Sequence, residues 1–528
     1  MAQDQEYNHE AGLNVRIIDG GKAIAITGYT GIRRFAVIPP RIRNLPVTVI
    51  GENAFREKQL VSVIIPDTVT HIGNSAFRDN RLTSIELPGG MISISHDAFR
   101  NNQLVTIIIP NTVTHIGQRA FSKNQLVSVT IPAGVTRIED FAFSENRLAA
   151  IAIPDTVTHI GDGAFSDNQL ISIKFPRGIT FIPDAAFLNN QLTAITIPNT
   201  VTHIGERAFF KNQLEFITIP NSITHIGGAA FSENRLASIA IPNSVTFIGD
   251  SAFSTNWLTS VKFPSGITFI PHNAFSHNHL AAITIPDTVT YIGDEAFRKN
   301  VLASVTIPRG VTRIGDEAFY ENRLTSVTIS DTVTHIGRRA FSDNRLAFIT
   351  IPDSVTFIGA GAFNRNRLTA IAIPDSVTHI EGGAFSGNQL VSIKFPDGIT
   401  HIPSGAFAVN QLASVIIPDT VTHIGSSAFG SNQLTSVNIP NTVTDIEDFA
   451  FYRNQLTSII IPDGVVFIGE NAFANNRLVS VTIPKSVIYI EQGAFSSNQL
   501  TRVTIPNLRA DIDRDAFDRN VKVIRRWF

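Results

Sequence analysis

Nine histidines recur at one position of a 22-residue period: His71, His115, His159, His203, His225, His335, His379, His401 and His423. Parallel strands lie ~4.8 Å apart, so His379, His401 and His423, in consecutive periods, would stand as a row of imidazoles of the kind that holds a metal ion. The same position also takes Phe247, Phe269, Phe357, Phe467, Tyr291, Tyr489, Arg137 and Arg313. A ligand position does not tolerate phenylalanine, so the column reads as a place where flat side chains stack whatever their chemistry. The chain has no cysteine, which removes thiolate ligands, a thiol nucleophile and disulfides. Catalysis needs one unique constellation of unlike groups, and this sequence offers columns. It is therefore read as not an enzyme, with no catalytic residue, metal ligand or cofactor assigned.

Numbered from its leading leucine, the repeat carries Leu at 1, Val or Ile at 4, Ile at 6, Pro at 7, Val at 10, Ile at 13, Ala-Phe at 17 and 18, and Asn at 21. Leucine holds position 1 in all 21 regular repeats from Leu60 to Leu500, and Ala-Phe recurs 22 times from Phe55 to Phe517. The proline fails once, at Ser330. So short a strict period overrides the usual reading of a long chain as several globular domains and points to a solenoid, each turn supplying a short strand. The piece L-x-x-V-x-I alternates like a half-buried strand and ends at a proline that has no N–H for a ladder. A second extended piece, V-T-x-I, leads to a glycine at 14 in most repeats, where a turn with positive φ is expected.

The apolar columns point inward and stack, since one turn alone has no core and only its neighbours cover it. Phe165 and Phe231 are expected in a packed spine. Asn124, Asn168 and Asn234 are expected in an internal ladder whose amides serve the backbone of the return turn, because such groups left buried and unpaired cost ~1 to 3 kcal/mol each.

The exposed positions 2, 3 and 5 of the strand are mostly Thr, Ser, Ala and Val, so residues that break this monotony are the candidate partner-binding groups: Phe216 and Phe348, with Glu215, Lys174, Lys262 and Lys394. The three lysines belong to a variant, KFPRGITFIP, KFPSGITFIP and KFPDGITHIP, with Phe175, Phe263 and Phe395 beneath and Pro183, Pro271 and Pro403 in place of the usual glycine. Spaced ~19 and ~29 Å along a ladder, they are too far apart for one small ligand. The variant reads as a duplicated subtype whose larger phenylalanine needs a compensating glycine nearby.

Residues 1–11 read as a flexible N-terminus. Residues 12–59 read as a cap, with a hairpin around Asp19-Gly20-Gly21 and an irregular first repeat carrying about five extra residues. Residues 60–521 are the solenoid and 522–528 a second cap, with Val521, Val523, Ile524 and Trp527 closing the stack. The formal charge of −2, from 42 basic and 44 acidic residues, offers no field for nucleic acid. No apolar run approaches the ~20 residues of a membrane span, and the start MAQDQEYNHE lacks the apolar core of a signal peptide.

The phrases LTSVTIPDTVTHIGDEAF and VIPPRIRNLPVTVIGENAF resemble the BspA-type leucine-rich repeats of bacteria, over about residues 30 to 528. The family's units commonly run one residue longer, with Cys or Asn after Ala-Phe. The resemblance implies a right-handed curved solenoid with a parallel sheet on its concave face and a cap at each end. It also implies a secreted or cell-surface protein, its signal already removed, used for adhesion or binding. The expected partner is a protein or polysaccharide at the cell exterior. The alternative is a structural, self-assembling surface-layer-like protein with no foreign ligand.

Overall fold

The computed structural model describes residues 6–9 and 12–525, a β-solenoid of about 23 turns with no helix among them. It divides into two compact units, Met1–Pro264 and Ser265–Phe528, built from the same repeat. In each unit the phenylalanines of position 18 stack face to face. Ring centroids lie 5.0 to 5.7 Å apart from Phe55 to Phe253 and 5.2 to 5.9 Å apart from Phe275 to Phe517. These rings, with the Leu, Ile and Ala columns, are buried and form the core.

Each turn carries two extended pieces, and the second is the more continuous. Positions 3–5 pair as parallel strands only in places, as in Ala150–Ala152 with Ser172–Lys174 and Ser304–Thr306 with Ser326–Thr328. Positions 12–13 run in longer ladders, such as Phe181–Ile182, His203–Ile204, His225–Ile226 and Phe247–Ile248 in the first unit, and six successive strands from Phe269–Ile270 to His379–Ile380 in the second. The reason lies in the donors. Position 7 is proline, whereas positions 11 and 14 both donate to the preceding turn, Thr202 N to Thr180 O at 2.9 Å and Gly205 N to Ile182 O at 2.8 Å.

The glycine of position 14 does not take the positive φ expected of it. A Cβ on Gly227 would sit 2.6 Å from the backbone nitrogen of Glu206, one turn earlier, so the glycine is there for close approach between turns. Left-handed backbone falls instead at positions 16 and 20, on residues as varied as Arg207 (φ 53°), Lys211 (φ 54°), Phe141 (φ 57°) and Val409 (φ 55°). The ladder demands it: the N–H groups of positions 16, 18 and 20 all point to the next turn, Arg207 to Gly228 O at 2.8 Å, Phe209 to Ala230 O at 2.9 Å and Lys211 to Ser232 O at 3.1 Å. An inserted residue would dislocate all three bonds, which accounts for a period without insertions.

The N-terminal cap starts earlier than residue 12. β1 (Glu6–His9) pairs antiparallel with β2 (Leu13–Ile18), which pairs antiparallel with β3 (Ala23–Tyr29) through the turn at Asp19-Gly20-Gly21. The residues read as a tail thus include a strand, because β2 otherwise presents an open edge. β4 (Phe35–Val37) pairs with Ser62–Ile64 and starts the strand face. The extra residues of the first repeat form a small hairpin, β5 (Arg41–Ile42) against β6 (Leu45–Ile50), and β6 passes the second ladder on to His71–Ile72. The ring of Tyr29 lies 5.3 Å from that of Phe55 and closes the spine. At the other end Lys522–Arg525 pairs in parallel with Arg502–Ile505; Trp527 lies outside the described residues.

Candidate binding surface

Several polar columns serve the backbone, among them the asparagines of position 21 and the threonines of position 11. The Asn234 amide oxygen accepts the Leu214 N–H at 3.0 Å, and its nitrogen donates to Phe209 O at 2.9 Å, Phe231 O at 3.1 Å and Ser232 O at 3.3 Å. Asn124 and Asn168 repeat the pattern, accepting from Leu104 and Leu148. Phe165 and Phe231 each lie between two stacked rings at 5.6 to 5.7 Å. The threonines of position 11 form the second such column, as Thr202 Oγ1 donates to Thr180 O at 3.2 Å.

The histidines of position 12 face outward beside that threonine, whose hydroxyl meets the ring, as at Thr202 Oγ1 and His203 Nδ1, 2.7 Å apart. His203 stacks on His225 at 4.4 Å, and His401 on His423 at 4.6 Å. His379 does not join the latter pair, so the expected row of three is a row of two. The ladder stops at Ile380 and resumes at His401, because Pro403 has no N–H to give to the preceding turn. Pro183 interrupts the ladder between Ile160 and Phe181 in the same way. His423 Nε2 lies 3.1 Å from Asp445 Oδ2, and among the described residues no three His, Asp or Glu side chains converge as metal ligands would. Burial, opposed by the carboxylate of Glu139 3.4 Å away, holds His115 below its ordinary value. Burial raises the Asp162 carboxyl, reinforced by Asp184 and Asp140 in its column.

On the strand face Phe216 and Phe348 stand out from a column of Ser and Ala, 65% and 68% exposed. Glu215, Lys174, Lys262 and Lys394 are exposed as well. Phe175 and Phe395 are buried edge-on against Phe187 and Phe407, at 5.5 and 5.3 Å. The glycines after them compensate for nothing, since a Cβ on Gly178 or Gly398 would meet no atom within 4 Å. Sequence reasoning missed Ile108 and Ile416, 86% and 87% exposed. Their signal was an isoleucine at position 5, the outward residue between inward 4 and 6.

Shallow grooves run along the same face. One of about 590 Å³ lies beside Lys174 and Arg177 and one of about 510 Å³ beside Glu86 and Ile108 in the first unit. In the second, one of about 700 Å³ lies along Thr284, Thr306 and Thr328 and one of about 1060 Å³ beside Lys485 and Arg502. Phe216, Phe348, Glu215, Lys262 and Lys394 line none of these.

Stacked turns with a Leu, Ile and Phe core and an asparagine at every return define a leucine-rich-repeat solenoid. The family model described as BspA type leucine rich repeat region (6 copies) matches seven overlapping stretches, residues 48–171, 114–237, 179–304, 227–347, 292–413, 336–455 and 400–524, and the chain belongs to that family. Among solved structures it is similar to a leucine rich cell surface protein from Faecalibacterium prausnitzii A2-165, at 28% identity over 62% of this chain and 95% of that one, with a TM-score of 0.42. It is also similar to a leucine-rich repeat protein from Bacteroides ovatus ATCC 8483, at 18% identity over 97% and 98% of the two chains (TM-score 0.44). YopM from Yersinia enterocolitica WA-314 matches at 18% over 82% and 89% (TM-score 0.47). No curated protein matches the chain.

Proposed function

We propose that the chain is a non-enzymatic scaffold at the cell exterior that recognises a protein through the strand face. One observation carries this reading: on a face built mostly of Thr, Ser, Ala and Val, large apolar side chains stand among the most exposed, Phe216 and Ile108 in the first unit and Phe348, Ile416 and Ile460 in the second. Large apolar groups held in water beside a rigid core mark docking surfaces, and aromatic residues commonly carry most of the affinity. Identical turns confer no specificity, so affinity should reside in residues that break the repetition. Lys174, Lys262 and Lys394 supply charges around these anchors. The test is affinity capture from the source's surroundings followed by substitution. Phe216→Ala or Phe348→Ala should weaken the captured protein by more than ~1 kcal/mol without shifting unfolding, and Arg323→Ala on the return turn should not. Affinity that survives both changes but is lost on turn substitutions moves the binding face to the turns.

A further inference from the structure

The single failure of the proline column, Ser330, borders the groove of about 700 Å³ in the second unit. One wall of this groove is Thr284, Thr306 and Thr328 at position 5, the other Asp287, Arg309 and Asp331 at position 8, with Ile307 and Pro308 between them. Three successive turns span about 10 Å at the ladder spacing.

Unused hydrogen-bonding capacity sets the groove apart. In the first unit the same position 8 carries Asp155 and Arg177, which close on one another at 2.7 Å, and the guanidinium holds the Asp155 carboxyl below the usual carboxylate range. Arg309 has an aspartate on the turn before and the turn after it, yet among the described residues no ion pair within 4.0 Å forms with either. Ser330 Oγ donates to Asp331 Oδ1 at 3.3 Å and lies 3.1 Å from Thr332 Oγ1, which ties that carboxylate to the rim. The guanidinium only donates, the carboxylates only accept, and the threonines do both.

A hydroxyl-bearing ligand meets all three kinds of group, since each hydroxyl accepts from Arg309 while donating to an aspartate. An anionic polymer would face Asp287 and Asp331, and a basic peptide would face Arg309. We propose that the groove is a subsite for a neutral polysaccharide, lying along the turns with its hydroxyls on Arg309, Asp287 and Asp331 and its C–H faces on Ile307 and Pro308. This site is independent of the protein-docking residues, none of which lines it.

Affinity electrophoresis of the full chain in gels containing β-glucan, mannan or xylan tests the proposal, with dextran sulfate as the anionic comparison. At least one neutral polymer should retard the chain while dextran sulfate does not, and Arg309→Ala and Asp331→Ala should each weaken retardation by about tenfold. Ser330→Pro restores the residue of the other repeats, and Ser330 N donates no backbone bond. Its thermal unfolding should therefore match the parent while retardation falls. Retardation by dextran sulfate alone, by no neutral polymer, or unchanged in all three variants overturns the proposal. So does a protein that binds this groove and is displaced by none of the neutral polymers.

Discussion

The asparagine and histidine columns come round with one period and end in opposite circumstances. Asn234 is buried and its amide makes four bonds to the backbone of two turns. His225, in the same unit, faces outward and touches its threonine and the rings of adjacent turns. Asparagine recurs without exception from Asn80 to Asn520, whereas position 12 takes Ser, Arg, Phe, Tyr and Asp as readily as His. The fidelity of a column thus follows how many backbone groups depend on the side chain, and not its polarity or its chemical potential.

The sharpest way to break this comparison is at Asn234. Asn234→Ala leaves the buried Leu214 N–H without its partner, at ~1 to 3 kcal/mol, while the Phe209 and Phe231 carbonyls keep the amides of Asn212 and Asn256. Arg235→Ala, which removes only an exposed side chain 5.7 Å from the Trp257 ring, should stay within about 0.5 kcal/mol. Denaturant midpoints of the two variants decide it; equal, small shifts would show that water replaces the amide and that the column is not structural.

The residue before each asparagine gives a smaller effect of opposite sign. Position 20 needs left-handed backbone, which costs an ordinary L-residue roughly 1 kcal/mol or more and a β-branched one most. Val409 (φ 55°) sits there directly before Asn410. Val409→Gly should raise stability by about 1 kcal/mol, less what glycine loses in the unfolded chain. Gly227→Ala, at the position where glycine is wanted for space, should lower it. If Val409→Gly destabilises, the valine side chain contributes packing that outweighs its backbone strain.

The two outcomes bear on how much a reader of the sequence can see. The Leu, Phe and Asn columns and the Ile column of position 13 were legible because each has one permitted residue, and the hairpin at Asp19-Gly20-Gly21 because glycine announces its own geometry. The left-handed positions 16 and 20 were not, because the demand comes from N–H groups reaching the next turn, and it falls on Arg207, Phe141 and Val409 alike. Residue type carries only a partial trace of a constraint that tertiary pairing imposes, in the glycines that meet it at Gly163, Gly361, Gly383, Gly387, Gly405 and Gly493. Pro183 and Pro403 were visible in the sequence, but their effect on the ladder follows only once position 14 is known to be a donor. Ser330 was visible as the one failure of its column, and the groove beside it requires the side chains of three turns at once.

The smallest effect belongs to the histidine column and depends on pH. Burial first, and then the facing His225 ring, hold His203 below its ordinary value of 6.5. The folded chain therefore favours neutral His203, and as pH falls through 6.5 the unfolded chain takes up the proton first. Stability present above that pH is lost below it. His203→Phe keeps a flat ring where Phe247 already stands in the same ladder, so unfolding at pH 8 should be nearly unchanged while the decline between pH 7 and 5 becomes shallower. A decline as steep in the variant as in the parent would assign the acid sensitivity to other groups. A large loss at pH 8 would mean that the imidazole, through its contact with Thr202, supports the backbone after all, and the contrast with asparagine would be one of degree.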